Sequence, residues 1–482
     1  MLTEMPHAVI ALLLSLSAAG PGGPWADAVY LNGDFYTLDP RAPHVEAVAI
    51  LEGRFLRVGS REDVAGAIGP RTEVVDLGGA FVLPGLVDPH THPSFEAEEP
   101  FHFEAGVPWD WLRRHRVFGR WLIPTRARRV GALADATRII SSYGITSFGD
   151  GCVEPEILPL WQELLRRRAP AQRAVFFVRA LGPRRSPALR SAAQVVQIAG
   201  RQPLPDVRFG AKLWVDGYFW DQSAALDAPY QGARGRGGLT VAPAVLERLV
   251  GELDRAGFPI QAHAIGERGV GAALDAFEAA RRGRAGPGPQ HAVVHAHLVR
   301  PEDLPRFAAL GVAASLDAYL AQPAVRDAVG RALGPARRER YLPFRALREA
   351  GALVGAHSDW ASASMSPFLG MYVLVTRRSP GHPERGALGP GNAITLAQAI
   401  RAYTLDNARL LGMEREVGSI EPGKSADLAI LDRDLLHAPL EALRDVRVRA
   451  TVFRGRRVYD GAELPLRLAR SERELVDLGN AH

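Results

Sequence analysis

From Val130 to Asp359 the chain repeats one pattern: an amphipathic helical stretch, a glycine, an apolar run, then polar residues. Leu246, Leu249, Val250 and Leu253 fall at helical spacing ahead of "AGFPIQAHAIG", and Val130, Leu133, Ala134 and Thr137 ahead of "YGITSFGD". Val270, Ala273, Leu274 and Phe277 precede "HAVVHAHLV"; "FAALGVAASLD" and "FRALREAGALVGAHSD" extend the series. Helical stripes alternating with continuously apolar runs are what a parallel sheet covered by helices requires, because its strands are buried on both faces. The glycine after each helix suits a left-handed cap. The expected fold class is α/β, a (β/α)8 TIM-type barrel.

The two ends read differently. "DAVYLNGDFYTLD", "VEAVAILEGRFLRVG" and "TEVVDLGGAFVLPG" are short apolar stretches broken by Asn-Gly, Glu-Gly and Gly-Gly, and the texture returns in "GSIEPGKSADLAILD" and "VRVRATVFRGRRVYD". Residues 27–83 and 412–462 are therefore expected to build one small composite β-sandwich beside a barrel over 84–411, with a tail at 463–482. A chain of 482 residues, 47% of them hydrophobic, has room for both.

Ala8 to Ala19 form an apolar run of signal-peptide length, too short to span a bilayer, but Glu4 and the lack of Lys or Arg before it argue against export. A signal peptide over residues 1–26 would make the protein exported or periplasmic; otherwise it is cytoplasmic. No later segment is apolar enough for a membrane span. The net charge of +5 comes from scattered arginines, and "WLRRHRVFGRW" reads as a solvated helix face, with no motif for nucleic acid. The single cysteine, Cys152, excludes an internal disulfide and a Cys-rich zinc site, and reads as a buried filler. A homo-oligomer is left open.

In a barrel of this kind the C-terminal ends of the strands form the active-site mouth. There the sequence places His90 and His92 of "LPGLVDPHTH", Lys212 of "FGAKLWVDG", and His263 of "PIQAHAIG". His295 and His297 of "AVVHAHL" and His357, Ser358 and Asp359 of "LVGAHSDW" complete the set. In His-x-His both imidazoles share one face of a strand, so the pair can hold a divalent metal, with His263, His295 and Asp359 arriving from other strands. Imidazole and carboxylate suit zinc, with manganese, iron or nickel as alternatives.

"LPGLVDPHTH" resembles the opening motif of the amidohydrolase superfamily. "GAKLWVDG", "AHAIGERGV", "HSDW", "RAYTLDNAR" and "GSIEPGKSADLAILD" resemble, in order, its YtcJ-like branch, amidohydrolase family 3, which includes N-substituted formamide deformylase. The resemblance runs from about Asp27 to Tyr459 and implies the same barrel and β-sandwich. The chain departs from the pattern in three places. "QHAVVH" replaces a run rich in arginine and glutamate, His297 stands where glutamine is common, and His357 where glycine often precedes Ser-Asp.

Only two of the 58 basic residues are lysines, Lys212 and Lys424. Some members of the superfamily carry a strand-end lysine converted by carbon dioxide to a carbamate that bridges two metals. That chemistry needs a neutral amine, which lysine, of ordinary pKa about 10.4, can supply when buried and arginine, above about 12, cannot. The resemblance thus implies an N6-carboxylysine at Lys212 between two metals, zinc first, one held by His90, His92 and Asp359 and the other by His263 and His295. Water held there would be acidified to about 7 and so supply hydroxide, and Asp359 would carry its proton to the leaving nitrogen. The expected activity is hydrolysis of a small-molecule amide: an N-formyl or N-acyl amine, or a cyclic amide. His297, His357, Asp150, Asp216 and Trp360 are candidates for lining the pocket or orienting ligands. Two rivals stand beside it. A mononuclear deaminase would want a glutamate three residues after the third metal histidine, where Gly266 stands and Glu267 follows. A metal-containing barrel that only binds a ligand would not need the full ligand set.

Overall fold

The structure is a computed structural model that describes residues 24–98, 125–183, 189–201, 204–282, 284, 286–323, 326–360 and 362–461. The signal-peptide reading (apart from residues 24–26), the "WLRRHRVFGRW" stretch and the 463–482 tail lie outside these residues. The first strands are short because turn residues interrupt them: β1 (Ala28–Leu31), β2 (Asp34–Tyr36), β3 (His44–Val45), β4 (Ala47–Leu51), β5 (Arg54–Gly59), β6 (Glu73–Asp76) and β7 (Phe81–Pro84). Glu52 and Gly53 both have positive φ, 50° and 73°, the geometry that matches the twist of a two-residue hairpin between β4 and β5. One four-stranded sheet runs β5-β4-β1-β6.

The barrel follows: β8 (Leu86–Thr91), β9 (Ile145–Val153), β10 (Arg173–Leu181), β11 (Val207–Trp214), β12 (Ile260–Ala264), β13 (Ala292–His295), β14 (Ala313–Asp317) and β15 (Val354–His357). These eight strands pair in sequence order, each parallel to the next. The predicted helices lie between them. Pro243–Arg255 buries Leu246, Leu249, Val250 and Leu253, and Glu267–Arg282 buries Val270, Ala273, Leu274 and Phe277. Gly311 ends the helix Leu304–Leu310 at φ +56°, the left-handed cap that a β-branched residue would resist.

Between β15 and β8 the sheet is joined by side-chain and loop contacts. Asn407, from "RAYTLDNAR", donates its Nδ2 hydrogens to Val87 O (2.6 Å) on β8 and Ala356 O (2.7 Å) on β15. Higher up, His92 N donates to Trp360 O (2.6 Å) and Asp359 N to His90 O (3.1 Å). The chain then returns to the small domain with β16 (Leu428–Leu431), β17 (Val448–Phe453) and β18 (Arg456–Asp460). These join the N-terminal strands in a six-stranded sheet ordered β18-β17-β16-β7-β2-β3, so one sheet is built from both ends of the chain. Lys424 belongs to this domain, bonded to Ser419 Oγ at 2.6 Å and paired with Glu421.

Candidate metal centre

Parallel strands bring every C-terminal end to one mouth, so residues far apart in sequence meet there. His90 lies on β8 and His92 just beyond it; Lys212, His263 and His295 lie on β11, β12 and β13. His357 ends β15, and Asp359 follows two residues later. Asp359 Oδ1 stands 3.1 Å from His92 Nε2 and 3.4 Å from His90 Nε2. Lys212 Nζ is 3.4 Å from the same His90 nitrogen. His90, His295 and Asp359 offer ligand atoms that all lie within 4.8 Å of one another. His263 is close, its ring 4.6 Å from that of His295, with Nε2 3.3 Å from Gly217 O and with Trp214 and Tyr218 packed against the ring.

Two features hold this arrangement. Gln261 Oε1 accepts from His90 Nδ1 at 2.7 Å while Gln261 Nε2 donates to Pro89 O, which fixes the amide and leaves the His90 lone pair at Nε2. Gly151 gives the ring its room, since a Cβ there would stand 2.2 Å from His90. The backbone is strained at the centre itself: φ is +77° at His295, +41° at Ala296 and +53° at Asp359. Such conformations cost on the order of 1–3 kcal/mol each and persist where surrounding structure enforces them.

Protonation favours a cation. Burial holds His90 and His263 well below the ordinary imidazole value, helped by Lys212 at His90 and by His295 at His263, and burial also lowers His92 and His295. These rings present lone pairs. Burial works to raise Asp359, but the imidazoles of His90 and His92 beside it outweigh burial and hold the carboxylate well below its ordinary value. Burial pushes the Lys212 amine down to about 8. His92 Nδ1 is buried without a hydrogen-bond partner. Neutral imidazoles around an ionised carboxylate, with a buried nitrogen unclaimed, are a donor set that fits a divalent metal.

The other candidates are placed differently. Asp216 is spent on the backbone: its carboxylate accepts from Ala225 N, Ile265 N and Gly266 N, each at 2.9 Å, and burial pushes it up to about 7. Asp150 is buried on β9 and accepts from Ser94 N at 3.2 Å; Trp360 is buried and its carbonyl holds His92 N. Cys152 is buried and its thiol is pushed up by burial, as a filler would be. His297 and His357 both turn toward Asp317, the last residue of β14. Asp317 and Gln261 are absent from the sequence-based set. The sign available for Asp317 was an acid ending the strand run "AASLD", in the position where other strands end in histidine. Asp88 is a third addition, buried under the His90 backbone and raised by burial to about 6.

The sequence profile of the amidohydrolase family matches residues 108–459. The protein LONG AFTER FAR-RED 3 of Arabidopsis thaliana is 25% identical over 92% of this chain and 93% of its own length. N-substituted formamide deformylase of Arthrobacter pascens is 24% identical, covering 89% of this chain and 97% of the relative. Among solved structures, an uncharacterized metal-dependent hydrolase from Pyrococcus furiosus superposes with a TM-score of 0.69 at 20% identity, over 85% of this chain and 99% of that one, so the two share a fold. The histidine-lined barrel and a profile that spans most of its length lead to one assignment: the chain belongs to the amidohydrolase family, and with it to the metal-dependent hydrolases of carbon–nitrogen bonds.

Proposed function

We propose that this protein hydrolyses the carbon–nitrogen bond of a small-molecule amide, an N-formyl or N-acyl amine or a cyclic amide. The observation that carries the reading is the shared carboxylate: Asp359 Oδ1 faces both His90 Nε2 and His92 Nε2 at 3.4 and 3.1 Å, within ligand reach of His295. His90, His92 and Asp359 would hold one metal and His263 and His295 a second, zinc first, with manganese, iron or nickel as alternatives. Such metals lower the pKa of water to about 7 and polarise a carbonyl. Lys212 would bridge them as N6-carboxylysine. Its amine attacks carbon dioxide, forms the N–C bond and releases one proton; a buried amine with a value near 8 supplies the neutral form this requires.

Asp359 takes the proton of the attacking water on its carboxylate and delivers it to the departing nitrogen, so the amine leaves neutral. Its strained backbone and its contacts with two imidazoles hold that oxygen in place before substrate arrives. The deaminase reading has less support: Gly266 cannot shuttle a proton, and the Glu267 carboxylate faces Arg340 at 3.4 Å.

The test is a panel of N-formyl, N-acyl and cyclic amides offered to the metal-loaded enzyme, with elemental analysis of the same sample. Amine release by the wild type, lost in Asp359→Asn with metal retained, is the expected result. Ammonia release from heterocyclic amines alone would favour the deaminase and overturn the proposal.

A further inference from the structure

Asp317 is buried at the end of β14, and three imidazoles converge on its carboxylate. His295 Nδ1 lies 3.0 Å from Oδ2 and 3.1 Å from Oδ1, His297 Nε2 is 2.8 Å from Oδ2, and His357 Nε2 is 3.1 Å from Oδ1. His297 and His357 are two of the places where the chain departs from the family pattern, and both departures meet at this one group. An ionised carboxylate only accepts, so in a hydrogen bond to it the imidazole supplies the proton. For His295 this settles the tautomer. Nδ1 carries the hydrogen, and Nε2 is then the nitrogen with a lone pair for the cation that His295 would hold with His263.

We infer that Asp317 is a positioning residue of the metal centre, setting the tautomer and ring orientation of His295. A carboxylate behind a metal-binding histidine fixes the ring and raises its basicity, and losing it costs about 10- to 100-fold in metal affinity. The role fits the local strain, since His295 is held at φ +77° and its side-chain bond to Asp317 ties the ring across to the neighbouring strand. His295, Asp317 and His357 also lie close enough to hold a cation among themselves. A neutral imidazole has a single lone pair, however, and His295 cannot give it to both sides.

The inference rests on His295 being a metal ligand, as proposed above, and its test does not use catalysis. Zinc affinity is measured by chelator competition in wild type, Asp317→Asn and Asp317→Ala, with saturating stoichiometry from elemental analysis. The expected result is zinc bound about 10- to 100-fold more weakly at one equivalent in both variants, with unchanged stoichiometry at saturation. Unchanged affinity would overturn the role. A stoichiometry lowered by one, with the remaining zinc bound as in wild type, would overturn it too, because Asp317 would then be a ligand itself. Anomalous diffraction from the zinc-loaded wild type gives an answer even if the variants do not fold: zinc on His295 Nε2 with Nδ1 on Asp317 is expected, and zinc on Nδ1 or on the Asp317 carboxylate would contradict it. Wild type that takes up no zinc would instead mark failure of the metal centre as a whole.

Discussion

At the floor of the barrel, where the strands begin, Arg173 of β10 is buried against Asp427, which precedes β16, and its guanidinium also donates to Ser147 Oγ (3.1 Å) and Ser425 Oγ (2.9 Å). At the mouth, imidazoles outnumber carboxylates, and His92 Nδ1, His297 Nδ1 and Asp88 Oδ2 are buried without hydrogen-bond partners. Both regions bury charge, with different consequences. The floor pair locks the barrel to the six-stranded sheet by direct contact between opposite charges. The mouth keeps polar atoms unmet, at about 1–3 kcal/mol for each lost partner, which is sustainable where something bound takes them up. Arg173 Nε at the floor is also unmet, so what separates the two regions is the balance of charge: a cation meets its anion at the floor, while neutral imidazoles crowd the carboxylates at the mouth.

The strongest break in that comparison comes at the mouth. Asp359→Asn is expected to lower turnover by at least about 1,000-fold, within the range of a lost acid–base group, while thermal unfolding changes little. Rate assays and calorimetry on one preparation check both halves. The floor should behave inversely: Arg173→Leu strands Asp427 as a buried unpaired charge and should destabilise by about 3 kcal/mol, with KM and kcat of the surviving folded protein unchanged. Denaturant unfolding beside steady-state kinetics measures it. Asn407→Leu acts between the two, removing the donors to Val87 O and Ala356 O, and about 2 kcal/mol of stability should go with them. Hydrogen exchange faster at β8 and β15 than at β11 would place the loss at the join.

The smallest effect concerns pH. The folded chain holds the Asp216 proton up to about 7, whereas an unfolded chain releases it near 4. As pH rises through that window the unfolded state ionises first, so this group's contribution to stability is present below about 4 and gone above about 7. Asp216→Asn should flatten that part of the stability profile. An unaltered slope in urea melts across the window would show that Asp216 is ionised throughout.

Much of this was legible in the residues. Leu246, Leu249, Val250 and Leu253 announce a helix because its period is local, and His90 with His92 announces a shared face because strand side chains alternate. Once strands are parallel, their C-terminal ends must converge, which is why Lys212, His263, His295 and Asp359 could be placed at one mouth without coordinates. Asp216 shows the limit: it sits at a strand end as expected, yet its carboxylate clamps three backbone amides rather than facing a substrate.

The sequence by itself determined the alternation of helix and strand, the end of the barrel at which the histidines meet, and the residue types gathered there, because each follows from short-range periodicity and one rule of barrel architecture. Only the tertiary structure decided that Gln261 fixes His90, that Asp317 stands beside His357 in the β14–β15 ladder and behind His295, that Asn407 joins the first and last barrel strands, and that Arg173 meets Asp427. Those contacts depend on the register between strands and on how the barrel closes, and both are set by packing between distant segments, which local periodicity does not encode.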